Sequence, residues 1–260
     1  MNRTQIIVGV QARWSAKRLP GKVMKPLCGH PVLWVIAQRL RMLRHKHKDC
    51  LLCTMAREDD HMAAEWRKWG SPWCMRGQED NVLSRYQYLA FLHPDKWIVR
   101  LTADNPFWAV GLTDDLIDEV MTGDYDYGVV VGLPVGMTAE VVRAGVLTNL
   151  HHEPLKRRHR EHVTLWIKEQ DGYKKLIKHA PSELRHPNWR VTMDTKDDYK
   201  MLYELARTMR DKNAKYIKKH GKKWWYASAD EVVRVLKDRP DLLEMNKHIE
   251  QVYPLGEVLK

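Results

Sequence analysis

An α/β fold built on a doubly wound, mostly parallel sheet, with a helical extension at the C-terminus, is what the sequence predicts. Three observations carry this prediction. Short aliphatic runs alternate with segments of helical periodicity through the first half of the 260 residues, the pattern of parallel strands joined by right-handed crossovers. A loop dense in positive charge, residues 11–22, follows directly on the first strand, at the strand end where such sheets place their ligands. The second half is less regular and finishes in helical sequence.

Taken in order, residues 5–10 read as a buried strand. Pro31 opens a helix, because its fixed φ suits a first turn, and Leu33, Ile36, Ala37, Leu40 and Leu43 recur at helical spacing. Residues 50–55 form a second strand. Asp59 stands where it can cap the helix carrying Met62, Ala63 and Trp66. A short strand at 73–75 precedes a helix at 79–92 with Val82, Leu83, Tyr86 and Leu89 inward. A strand at 97–101, a helix at 112–121 and a strand at 127–131 follow. Further on, the pattern predicts strands at 139–142, 174–179 and 189–193, and helices at 143–151, 159–169 and 195–209. Ser228 is placed to cap a last helix at 229–236. No repeat or linker interrupts the chain, so the expected organisation is one α/β domain over 1–212 and an extension over 213–260 packed on it.

Apolar residues at 44% and charged residues at 30% fit a globular protein. No apolar run approaches the roughly 18–20 residues of a membrane span. The N-terminus passes straight into a strand without a secretory leader, so the expected location is the cytoplasm. Cys28, Cys50, Cys53 and Cys74 make no disulfide framework in a chain of this length, and the lone CxxC at 50–53 reads as buried thiols. The net charge of +11 suits nucleic acid or small polyphosphates. Eight Lys or Arg fall between Arg207 and Lys223, opposed only by Asp211. Without a helix-turn-helix, zinc-finger or RNP signature, this stretch reads as a solvated face, and nucleic acid is not the expected partner. The 11 tryptophans are scattered and read as core or interface residues.

The charged loop has a specific chemical capacity. Arg13 and Arg18 offer forked donors, while Lys17 and Lys22 offer compact charges. Pro20-Gly21 turns the backbone and lets amide groups approach an anion. The loop is not a Walker motif, since GxxxxGK[ST] is absent. Residues alone leave two readings open: a phosphate cradle or a solvated basic loop. Asp104 and Asp194 each follow a predicted buried strand. On spacing alone, each is a helix or turn cap or a metal carboxylate.

Five segments resemble the CMP-sugar synthetase superfamily, and most closely its spore-coat polysaccharide (SpsF-type) cytidylyltransferase branch. "QARWSAKRLPGKVMKPLCGHPVL" matches a pattern Q-A-R-x-x-S-x-R-L-P-G-K at Gln11, Ala12, Arg13, Ser15, Arg18, Leu19, Pro20, Gly21 and Lys22. "RGQEDNVLSRY" is similar to R-G-x-x-x-D-V-L-x-R-Y, with Asn81 where Asp is usual. "VRLTADNPF", "REHVTLWI" and "WRVTMDTKDDYKML" complete the series, in order, over most of the chain. The resemblance implies a Rossmann-like nucleotide-diphospho-sugar transferase fold and transfer of CMP from CTP to a sugar, with release of pyrophosphate. It makes Arg13 and Lys22 the triphosphate ligands, with Gln11, Ala12, Ser15, Arg18, Gly21, Arg76, Asp80, Thr102 and Ala103 around the nucleotide. It makes Asp104 and Asp194 the carboxylates for Mg²⁺, a hard ion held by one or two carboxylates, phosphate oxygens and waters. Gly136, Glu140, Arg160 and His162 fall on the acceptor side. A homodimer is expected by the same resemblance.

The match breaks at 134–141. Val135 and Thr138 stand where the family often has aspartates that contact the sugar, so the acceptor is expected to be different or differently held. Asp197 and Asp198 read as first-turn residues favoured by the helix dipole. Two competing expectations remain. One is a sugar-phosphate nucleotidyltransferase using another NTP. The other is a nucleic-acid-binding protein on a degenerate scaffold.

Overall fold

The computed structural model describes residues 5–71, 73–211 and 223–250. The first half alternates as its sequence pattern requires: β1 (Ile6–Gln11), α1 (Val32–Leu40), β4 (His47–Thr54), α2 (Asp59–Lys68), β5 (Trp73–Gly77), α3 (Val82–Leu92), β6 (Trp97–Thr102) and α4 (Val110–Thr122). A small antiparallel pair, β2 (Pro26–Leu27) with β3 (His30–Pro31), lies between the charged loop and α1. Then come β7 (Tyr127–Val131), β8 (Glu140–Arg143), α5 (Ala144–Asn149), α6 (Arg157–Glu161), α7 (Leu165–Glu169), β9 (Lys175–His179) and α8 (Lys196–Asp211), before helices Ala229–Asp238 and Pro240–Glu244.

Among the described residues the main sheet has 7 strands in the order β5-β4-β1-β6-β8-β7-β9. β1 pairs in parallel with β4 and β6, as do β4 with β5 and β7 with β9. β8 runs antiparallel to both its neighbours, which brings Glu140, at its start, to the same sheet edge as the ends of β1 and β6. Both faces are buried, so the central strands are continuous aliphatic runs rather than alternating ones. Val8, Leu51 and Val99 belong to one apolar layer with residues of α1, α2, α4 and α8. Ile7, Leu52 and Ile98 belong to the other with α3 and α5.

The C-terminal segment shares the first layer: Trp224, Trp225, Val232 and Leu236 are buried in it. It is fastened by Arg39 of α1, whose fully buried guanidinium donates to the carbonyl oxygens of Trp108 (2.7 Å), Trp225 (2.9 Å) and Ala227 (2.8 Å). Burial pulls the Arg39 pKa down to about 9, opposed by the nearby Glu231 carboxylate. Ser228 caps Ala229–Asp238 in a reciprocal box with Glu231. That helix is not the last, because Pro240 starts another one.

Several sequence expectations shift. The helix predicted at 79–92 begins at Val82, with Asn81 as its cap accepting from Ser84 N. The helix at 143–151 shortens to α5 and a 3-10 turn. The helix at 159–169 is broken into α6 and α7 at Val163, whose φ of 50° no helix accommodates. The strand at 189–193 is reduced to one bridge between Val135 and Arg190. Asp59 is inside α2 rather than capping it, the cap position being Glu58. The basic stretch begins with Arg207 paired to Glu204 and Arg210 to Asp211, and residues 212–222 of it lie outside the described residues. Among the described residues no helix is long and apolar enough to cross a membrane.

Candidate active site

The charged loop leaves β1 and is closed on itself before it reaches the ligand edge. Gly21 N donates to Trp14 O (2.8 Å). Gly21 sits at φ 66°, where a Cβ would press on the Trp14 ring at 3.0 Å, so only glycine makes this turn without strain. The loop is tied to the sheet by Asp59, which is 1% exposed. Its Oδ1 accepts from Trp14 N (2.8 Å), and its Oδ2 accepts from Thr54 N and Thr54 Oγ1 (both 2.7 Å).

This closure aims Lys22 inward. Its Nζ donates to Asp104 Oδ2 (2.6 Å) and to Asp194 Oδ1 (2.9 Å), and its side chain is 11% exposed. Asp104 follows β6, and Ala103 N is held by Gln11 O (2.9 Å). Met193 N donates to Asp104 O (2.9 Å), which brings the two acidic segments side by side. Asp194 also receives Arg190 Nη2 (2.7 Å) and pairs with Arg18 Nη2 at 3.4 Å. Burial alone would lower the Lys22 pKa, yet the two carboxylates outweigh it and raise it. Burial would raise that of Asp194, but Lys22 and Arg190 hold it below the usual carboxylate value.

Behind Asp194 stands Asp198, fully buried. It accepts from Asp194 N (3.0 Å), Thr195 N (2.9 Å), Arg190 Nε (2.8 Å) and Asn246 Nδ2 (3.0 Å). Asn246 also donates to Arg190 O (3.1 Å), so the C-terminal segment braces the carboxylate at the site. Asp198 thus does far more than answer a helix dipole, whereas Asp197 is surface-paired with Lys200.

The remaining predicted residues occupy a wider rim. Arg13 Nη1 (3.3 Å) and Ser15 Oγ both reach Glu79 Oε1, a residue sequence reasoning passed over. Arg76 pairs with Asp60 (2.6 Å) beside the end of β4, and Asp80 is exposed in the turn before α3. Ala12 is buried, with its N–H on Leu52 O (3.0 Å). Gln11 lies in register with Thr102; its Oε1 is buried and has no hydrogen-bond partner. Thr102 Oγ1 accepts from Asn105 Nδ2 (2.7 Å).

Among the residues expected on the acceptor side, Glu140 differs from expectation. Its carboxylate is 5% exposed and taken up inside the fold, by Tyr127 (2.6 Å), Thr164 (2.9 Å), Lys168 and Arg100. Burial would raise its pKa, but Lys168 and Arg100 drive it far below the ordinary glutamate value. Glu140 is therefore a buttress rather than a free acceptor of sugar hydroxyls. Gly136, at φ 94°, lies against the backbone of Thr192, where a Cβ would come within 2.7 Å of its nitrogen. Val135 and Thr138, the two non-acidic replacements, serve the fold: Val135 N donates to Trp189 O (2.8 Å) and Thr138 Oγ1 to Val130 O (3.2 Å). His162 is half-buried beside the strained Val163, and burial lowers its pKa. Arg160 is exposed on α6, off this edge network.

Comparison with known proteins gives a consistent picture. A family model described as cytidylyltransferase matches residues 7–233. The chain is 33% identical over 245 residues to the spore coat polysaccharide biosynthesis protein SpsF of Bacillus subtilis, covering 91% of this chain and 95% of that one. Among solved structures, a cytidylyltransferase from Leptospira borgpetersenii superposes with a TM-score of 0.79 at 23% identity, over 96% of this chain and 99% of the other. A CMP:2-keto-3-deoxy-manno-octonic acid synthetase in complex with CTP shares the fold at a TM-score of 0.61 and 13% identity, over 78% and 99%.

Proposed function

Since this chain belongs to the cytidylyltransferase family, we propose that its ligand edge binds CTP and transfers CMP to a hydroxyl of a sugar or sugar-like acceptor, releasing pyrophosphate. The observation that carries this reading is the meeting of Lys22, Asp104 and Asp194 at one point. In the reaction an acceptor oxygen forms a bond to the α-phosphorus as the bond from that phosphorus to the β-phosphate bridging oxygen breaks. Negative charge grows on the phosphate oxygens meanwhile, and fixed cations aimed at that charge supply the largest share of catalysis. Lys22, Arg13 and Arg18 are those cations here. Arg190 keeps Asp194 ionised and oriented, and Asp59 keeps the loop in place.

Asp104 and Asp194 fit a divalent ion. Their oxygens already converge on a single ammonium nitrogen, which stands in for a cation, and hard oxygen donors suit Mg²⁺. Bound there, Mg²⁺ would neutralise phosphate charge and hold the triphosphate in line. The four cysteines are free thiols, which suits a reducing, cytoplasmic setting. The apolar side chains of Trp73, Tyr88, Phe91 and Leu92, exposed along β5 and α3, offer a face on which a homodimer could form.

The test is pyrophosphate release with Mg²⁺ and each of CTP, UTP, GTP and dTTP, against a panel of neutral sugars, acid sugars and sugar phosphates. The proposal expects CTP-dependent turnover with at least one sugar. Equal turnover with another NTP, or none with any pair while CTP fails to shift the melting temperature, overturns it.

A further inference from the structure

The chain places a cation of its own between Asp104 and Asp194, and that has consequences for how the site fills. We propose that Lys22 is a placeholder for the divalent ion: in the nucleotide-free enzyme its ammonium keeps Asp104 and Asp194 together, and it yields that position only when metal and triphosphate enter as one unit. The inference rests on the assignment of these two aspartates as the metal carboxylates.

Geometry supplies the first argument. Lys22 Nζ is 2.6 Å from Asp104 Oδ2 and 2.9 Å from Asp194 Oδ1, so it occupies the place between the carboxylates that a shared ion needs. With its side chain 11% exposed, the ammonium has little water to retreat into. Two bare carboxylates this close would repel each other, and Lys22 removes that repulsion.

Charge supplies the second. Arg190 is engaged by Asp198 as well as Asp194. Setting that pair aside, Asp104 and Asp194 face Lys22 and Arg18, two anions against two cations. A divalent ion arriving alone would enter a neutral site and meet an ammonium at contact distance. A nucleotide arriving with it brings the negative charge that gives both cations new partners. Lysine suits this exchange because its charge rides on a flexible four-carbon stem. The backbone of Lys22 starts a 3-10 turn directly after Gly21, so the head can swing toward phosphate while the loop stays closed.

The probe is Mn²⁺ alone, added to the nucleotide-free full-length chain and followed by the electron paramagnetic resonance of the free ion. Lys22→Met and Lys22→Gln should each bind Mn²⁺ roughly ten-fold more tightly than the wild type, or better, a change of about 1.4 kcal/mol. Without metal both variants should melt at lower temperature, and Mn²⁺ should restore the loss. Adding Asp104→Asn to Lys22→Met should erase the tight binding. Glutamine keeps a hydrogen-bond donor between the carboxylates, which protects the test if the methionine variant folds poorly. Mn²⁺ affinity in both Lys22 variants equal to or weaker than wild type overturns the placeholder role and leaves the carboxylate assignment standing. Tight binding that survives Asp104→Asn sinks the assignment itself, and the placeholder with it.

Discussion

Lys22 Nζ and Asp194 Oδ1 are 2.9 Å apart although 172 positions separate them in the chain. One end of this contact is delivered by the loop after the first strand, and the other by the segment before α8. Local contacts orient each residue, Arg190 and Asp198 at Asp194 and the closed loop at Lys22, but only the fold brings the two together. The fold itself closes the site.

Asp104→Asn keeps the size and hydrogen-bonding capacity of the side chain but removes its charge. Loss of one fixed electrostatic contact in a transition state costs about 3 kcal/mol, or roughly 10²-fold in rate. Pyrophosphate release should fall by at least that factor, and Asp194→Asn should do the same. The near-ultraviolet circular dichroism of Asp104→Asn should match the wild type, since Asp194 still partners Lys22.

Asp59→Ala orphans three donors at once: Trp14 N, Thr54 N and Thr54 Oγ1. Leaving buried donors unpaired costs about 1–3 kcal/mol each. Denaturant titration should report a destabilisation in that range or above. Among molecules that stay folded, the loosened loop should raise the KM for CTP more than it lowers kcat.

Glu79→Ala should act in the opposite sense on affinity. Glu79 engages Arg13 and Ser15, the donors that the proposed function assigns to the triphosphate. Both ionic partners are substantially exposed, where a pair contributes about 0.2–1 kcal/mol. CTP binding measured by calorimetry should therefore tighten by up to about five-fold. A weaker affinity would mean that Glu79 orients the loop rather than competing for it.

Glu140 gives the protein a pH signature. Its carboxyl is more acidic in the fold than in the unfolded chain, where it titrates near 4.5, and Asp194 is likewise held below its ordinary 3.8. The stability these groups provide is fully present above the unfolded values and is lost as pH falls through the lower, folded ones. Wild-type stability should decline from about pH 4 downward. Glu140→Gln should be less stable at pH 7 by about 3–5 kcal/mol, the cost of breaking a buried pair. It should also show a shallower acid limb, visible in melts at pH 7 and pH 3.

Much of the sheet was legible because its central strands are buried on both faces. The runs at 6–10, 50–54 and 97–101 are aliphatic enough to declare themselves, and α4 and α8 show their periods plainly. The sequence missed what depends on distant partners. Residues 189–193 look like a strand, but among the described residues their backbone pairs with distant backbone only at single residues, Val135 and Asp104, and with no continuous strand. The helix expected at 159–169 breaks because Thr164 turns inward to Glu140, across 24 positions. At the site, residue type and place left the loop and both aspartates with two readings each, and the family resemblance singled them out as a group that the fold brings together. Glu79, Arg190 and Asn246 were not, for each acts by touching another side chain that only the fold brings near. Glu140 was misplaced for the same reason: its four donors come from β6, β7, the turn before α7 and α7 itself.

The guanidinium of Arg39 sets a lower limit on the size of the working protein. Its three carbonyl acceptors come from Trp108 and from Trp225 and Ala227, so a chain truncated before residue 223 would leave a sequestered positive charge with two of its three acceptors missing. The boundary expected near residue 212 is thus no place to cut: the trailing segment is a keystone of the first layer, and a shortened enzyme would be lost to misfolding before its chemistry could be assayed.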